Sequence, residues 1–164
     1  MSSGAGLHPL TALLGRRLSD LARLVDPVVA GPEAARAFLL AAAAEQAGAP
    51  VLLAATPTAA EAEHLAHDLA AFLPAERVLA LPAWDTLPFE RISPGIDTTG
   101  QRLRALWRLG EARAGRSEPV VVVAPVKALL QRLATTSEAA APVVVRLGQR
   151  LDPDELVERL VAAG

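Results

Sequence analysis

The 164-residue chain predicts an α/β fold, a parallel sheet with flanking helices. Three observations carry that expectation. Apolar runs of strand length recur along the sequence. Stretches with helical spacing of apolar residues separate them. Helix start and stop signals fall at the junctions. Such alternation implies strand–helix–strand units with right-handed crossovers.

In chain order, LTALLGRRLSDLARLV places Leu10, Leu13, Leu14, Leu18, Leu21 and Val25 at helical spacing, with Gly15 weakening the middle. VVA at 28–30 reads as a short strand turning at Gly31. The next helix starts at Pro32 with Glu33 beside it and stops at Gly48. VLLAAT at 51–56 reads as a strand buried on both faces. Thr58 to Glu61 is a T-x-x-E cap opening a helix to about Leu73, with its stripe on Ala62, Leu65, Ala66, Leu69, Phe72 and Leu73. Pro74 ends it, and RVLAL at 77–81 is the third strand.

Asp97 or Thr98 is expected to cap a helix running through Trp107 to about Ala112. EPVVVVAP at 118–125 has the densest β-branching and reads as the central strand, followed by a short helix from Val126 to about Leu133. After the small-residue stretch TTSEAAAP, PVVVRLGQRL suggests one more strand and a turn. Asp152-Pro153-Asp154-Glu155 supplies a cap, a first-position proline and first-turn acids for the last helix. These last elements read as the opening of a second α/β unit.

Composition narrows the function. Cysteine is absent, which removes disulfides and thiolate metal sites and fits a reducing compartment. The longest apolar stretch, Phe38 to Ala44, falls short of the ~20 residues a membrane span needs. No basic-then-apolar leader opens the sequence. A net charge of −2 argues against a uniformly basic nucleic-acid binder. The arginines are nevertheless concentrated: residues 91–116 hold six against two acids, about +4 locally. Arg104 and Arg108 share a helix face and, with Arg102, form a candidate contact face for phosphate or an acidic partner. The competing reading is a solvated helix surface with Arg108 paired to Glu111.

A phosphate-binding loop would follow the first strand, where glycines let backbone amides cradle phosphate and a lysine reaches its oxygens. That turn here reads Gly31-Pro32-Glu33: one glycine, one residue with no amide donor, and one carboxylate that repels phosphate. The sole lysine, Lys127, follows the fourth apolar run instead. No ATP-binding loop of that type is encoded, and no catalytic nucleophile motif is present. His64 and His67 share one helix with Glu61 and Asp68, but a helical E-x-x-H needs a second copy to build a metal site. We expect a solvated polar face there, with no catalytic, cofactor or metal residues in the segment.

Residues 81–94 are the exception to an otherwise alanine-rich chain. LPAWDTLPFERISP carries Trp84 and Phe89 and three evenly spaced prolines, Pro82, Pro88 and Pro94, so it cannot be one helix. We expect a kinked connection packed on the sheet, with Trp84 burying its ring while its N–H finds a carbonyl. The run Leu81, Pro82, Trp84, Asp85, Thr86, Leu87, Pro88, Phe89, Glu90, Ser93, Pro94, then Arg102-Leu103, then Pro125 to Leu133, resembles the N-terminal region of the bacterial transcription-repair coupling factors (Mfd). The resemblance covers about residue 28 to the end.

What the resemblance implies is a degenerate RecA-like half-domain, similar to domain 1a of the excision-repair subunit UvrB with its ATP site lost. Residues 1–26 would be a lead and helix, 27–133 the degenerate domain, and 134–164 the beginning of a domain that recruits UvrA. Full-length members also bind RNA polymerase and carry an ATP- and magnesium-dependent DNA translocase, modules not expected in this stretch. UvrB's aromatic hairpin has no counterpart in APVKALLQRLATTSEAAAP, so DNA wedging is not expected. The implied function is a cytoplasmic, non-catalytic module of transcription-coupled excision repair. The alternative is a UvrB-like half-domain that binds ATP or DNA only when completed by other domains.

Overall fold

The computed structural model describes residues 31–84, 95–132 and 142–163. Outside them lie the helix expected over 10–25, the strand at 28–30, the small-residue stretch 134–141, and Asp85, Thr86, Leu87, Pro88, Phe89, Ser93 and Pro94 of the tryptophan segment.

The described chain begins with a 3-10 turn (Glu33–Ala35) and α1 (Arg36–Gln46), then β1 (Val51–Thr56), α2 (Ala59–Leu69), a second 3-10 turn (Ala75–Arg77) and β2 (Val78–Ala80). It continues through α3 (Ile96–Arg113), β3 (Val120–Pro125), the single turn α4 (Val126–Leu129) and α5 (Pro153–Ala163). The three strands form a parallel sheet in the order β1-β3-β2, with Val51 opposite Val120 and Val78 opposite Val121. The valine run is thus the central strand, and every residue of β3 is buried.

Alternation along β3 builds a layer on each face, because successive strand side chains point opposite ways. Val121 and Val123 join Ala54 of β1 and the stripes of α1 and α2: Ala37, Ala41, Ala44, Ala62, Leu65 and Leu69. Val120, Val122 and Ala124 join Leu79 and Leu81, Ala105 and Ala112 of α3, and Ala128 of α4. Alanines on α1 let it lie close to the sheet, while Phe38 and Phe72 meet edge to face at 5.7 Å at the margin.

Caps explain where the helices start. Thr58 Oγ1 accepts the Glu61 amide at 3.2 Å, so the T-x-x-E cap forms, and α2 ends four residues short of Leu73. Asp152 Oδ1 accepts the Asp154 amide at 2.9 Å at the head of α5. Gly48 closes α1 with φ +61°, a left-handed turn that suits glycine.

Four expectations are corrected. β1 is not buried on both faces: Leu53 is 55% exposed, because β1 is the outer strand of the described sheet and the α3 side covers only its beginning. The cap of α3 is Gly95, without a side-chain bond, so Asp97 and Thr98 sit inside the first turn. The helix after β3 stops at Leu129. Residues 142–147 form no strand: no described strand pairs with them, and Val144, Val145 and Leu147 stay exposed beside a turn at Gly148, φ +81°.

Candidate functional site

The turn entering α1 is the place where a parallel α/β unit would hold phosphate. Pro32 is in an extended conformation there, its carbonyl accepting the Ala35 amide at 2.9 Å, and Glu33 stands exposed in the first turn. Gly31 has no positive φ, and a Cβ added to it would meet nothing within 4 Å. Among the described residues, nothing packs closely enough to require glycine at that position. The cleft beside it is lined by Glu33, Arg36, Ala37, Glu61, His64, Leu65 and Asp68. Three carboxylates against one guanidinium give the cleft the wrong sign for a polyphosphate. His64 and His67 are exposed, and among the described residues no group of three or more His, Cys, Asp or Glu side chains converges for a metal ion.

A different cluster lies where the chain leaves β2. Trp84 is half-buried, and the side chain of Gln131, just beyond α4, pairs with its main chain in both directions. The Trp84 amide donates to Gln131 Oε1 at 2.8 Å, and Gln131 Nε2 donates to the Trp84 carbonyl at 3.4 Å. Arg102, on α3, lays its guanidinium 4.4 Å from the centre of the Trp84 ring, a cation–π distance. Its Nη1 donates to the Pro82 carbonyl at 2.5 Å and to Gln131 Oε1 at 3.5 Å. The tryptophan is thus held through its ring face and its peptide groups, and no contact from its indole N–H to a carbonyl is seen among the described residues.

Arg102 is 2% exposed, and its Nε is buried with no acceptor. Burial lowers its pKa from the ordinary arginine value, since desolvation disfavours the charged form. The expected contact face of Arg102, Arg104 and Arg108 is therefore corrected at Arg102, which points inward. The sequence contained the signal: Arg102 stands three, seven and ten residues before Ala105, Leu109 and Ala112, on the apolar side of α3. Arg108 is tied down as well, its Nη2 donating to the Glu76 carbonyl at 3.0 Å. It acts on Glu111 only through its charge, and the contacting partner of Glu111 is Arg116, through Nη2 at 2.6 Å and Nε at 3.0 Å. Arg104 stays on the exposed side with Leu103.

Sequence reasoning passed over Gln131 and Arg77. Arg77 Nη1 meets Glu45 at 2.5 Å while its Nε donates to the Pro119 carbonyl at 2.8 Å, joining the entry of β2 to the entry of β3 and the end of α1. No local pattern announces such a tie, because its partners lie 32 and 42 residues away.

These residues define a class: a three-layer α/β unit on a parallel sheet, with a buried arginine fastening the connector after its second strand. The transcription-repair-coupling factor of Mycobacterium tuberculosis (strain CDC 1551 / Oshkosh) is 39% identical over 132 residues, covering 79% of this chain and 10% of the relative. That of Myxococcus xanthus is 36% identical over 176 residues, covering 96% and 14%. That of Escherichia coli (strain K12) is 34% identical over 151 residues, covering 87% and 12%. The chain belongs to the transcription-repair-coupling factor family and spans between 10% and 14% of the length of these curated relatives. No family model matches it. No helix among the described residues is long and apolar enough to cross a membrane.

Proposed function

We propose that this chain is the N-terminal, non-catalytic module of a transcription-repair coupling factor, a degenerate RecA-like unit resembling domain 1a of UvrB. It works by contact with other proteins and helps bring UvrA to RNA polymerase stalled at DNA damage. Residues 27–133 are the scaffold in this reading, and residues from about 134 begin the UvrA-recruiting unit. ATP hydrolysis, magnesium and DNA translocation belong to other parts of the full-length protein, and the setting is the bacterial cytoplasm.

One observation supports the reading above the others. The turn where a nucleotide's phosphates would rest presents Pro32 and Glu33, and the adjoining cleft adds Glu61 and Asp68. A charge-neutralising lysine is lacking at that turn, since Lys127 lies after β3. The alternative of an ATP-binding half-domain awaiting completion has in its favour that β1 is an outer strand of the described sheet. Calorimetric titration with magnesium-ATP separates the two. The adaptor reading expects no heat of binding up to millimolar nucleotide, and a micromolar Kd would overturn it. Recruitment is tested by capture on immobilised UvrA. A version extended by one domain length, ~100–150 residues, should be retained and the 164-residue chain only weakly. Equal retention of both would move the contact surface into the residues described above.

A further inference from the structure

We propose that Trp84, Arg102 and Gln131 form a conformational latch whose buried guanidinium sets the course of the chain at some expense of stability. The carboxamide of Gln131 bridges the amide and carbonyl of Trp84, 47 residues away, as a neighbouring strand would. Arg102 closes the arrangement from a third element, α3: its Nη1 donates to both the Pro82 carbonyl and the Gln131 oxygen while its guanidinium carbon lies over the Trp84 ring. A planar fork that must meet a carbonyl, an amide oxygen and a ring together admits essentially one geometry.

Among the described residues the charge itself is poorly compensated. The ion pairs among the described residues are Arg77 with Glu45 and Arg116 with Glu111; neither involves Arg102, and its buried Nε has no acceptor. Removing an unpaired charge from water is costly, and replacing a buried ionic group with an apolar one of similar size is often neutral or stabilising. An unbranched apolar side chain would fill this slot without that cost but would leave Trp84 able to settle in several ways. Arg102 and Gln131 are therefore positioning residues. The place they secure is the carboxyl end of the parallel sheet, where open α/β sheets keep their binding crevices.

Amide hydrogen exchange by NMR on the 164-residue chain, with thermal unfolding alongside, tests the latch in Arg102→Met, Gln131→Ala and the double variant. We expect the Trp84 amide to exchange at least about ten-fold faster in each single variant while the Val121 and Val123 amides keep their rates. The double variant should be no faster than the faster single one, because the parts act as a unit. The Arg102→Met midpoint should be equal to or above that of the unchanged chain. A midpoint lowered by several degrees, or a variant unable to fold, would overturn the proposal by making the guanidinium an ordinary stabilising tie. Single-variant effects that multiply in the double variant would overturn it by separating the contacts. Gln131→Ala leaves the arginine in place, so an unchanged Trp84 rate there would overturn the bridge itself.

Discussion

The two ends of the sheet use the same side chain in opposite ways. At the amino end, Arg77 donates to the Pro119 carbonyl and also has a carboxylate, Glu45. Arg108 reinforces that end from α3 through the Glu76 carbonyl. At the carboxyl end, Arg102 likewise donates to a carbonyl, that of Pro82, but its charge faces an aromatic ring and an amide instead of an acid. A paired arginine near the surface contributes stability, whereas a buried unpaired one contributes geometry and costs desolvation. The amino end is thus fastened, and the carboxyl end is aimed.

The core between the two ends sets the scale for breaking this comparison. Leu69→Ala, at a fully buried position between α2 and the sheet, should cost about 2–5 kcal/mol in urea unfolding, transfer loss plus cavity. Arg77→Met comes next. It should lower stability by about 1 kcal/mol, since the Glu45 carboxylate is partly exposed and solvent takes up part of the lost interaction. The contrast with Arg102→Met is the informative measurement: equal losses at both sites would mean that the missing carboxylate is not what distinguishes the ends. Thr58→Ala should cost about 1 kcal/mol by removing the acceptor for the Glu61 amide.

The smallest effect belongs to the surface pair. The hydrogen bond from Arg116 holds the Glu111 carboxyl below its ordinary pKa, with coulombic support from Arg116 and Arg108. A depressed folded-state value means that its contribution is present above the unfolded pKa and is lost as pH falls through the folded one. Glu111→Gln should therefore lower the thermal midpoint slightly at neutral pH and flatten the acid-side slope below about pH 4.5, where the difference from the unchanged chain disappears. Because both partners are solvated, 0.5 M salt should hide the difference.

Much of the fold was legible because its signals are local. Thr58 and Glu61 stand three apart, Asp152-Pro153-Asp154 is contiguous, and the valines of β3 are consecutive. Each cap or strand then formed where its pattern lay. Expectations that depended on neighbours fared differently. VLLAAT reads as fully buried, yet burial depends on what covers the strand, and Leu53 of β1 is left open. PVVV at 142–145 has the composition of a strand but no ladder partner among the described residues. The latch was half legible: Trp84 stood out by rarity, whereas Arg102 was expected on a contact face although its spacing with Ala105, Leu109 and Ala112 places it on the apolar side. Gln131 did not stand out, because a glutamine's worth is set by a peptide group 47 positions earlier, which no window of sequence contains.

The half-covered margin of β1 also has a practical side. Leu53 shows most of its surface on one side of that strand, and the exposed Ala55 follows two residues later on the same side. Beside them run backbone groups that no other described strand engages. An apolar margin on a strand whose outer side no other described strand flanks is the usual template for strand-to-strand sticking. Leu53→Lys would place a charged gatekeeper at the rim, and the preparation should then remain clear at concentrations where the unchanged chain turns cloudy.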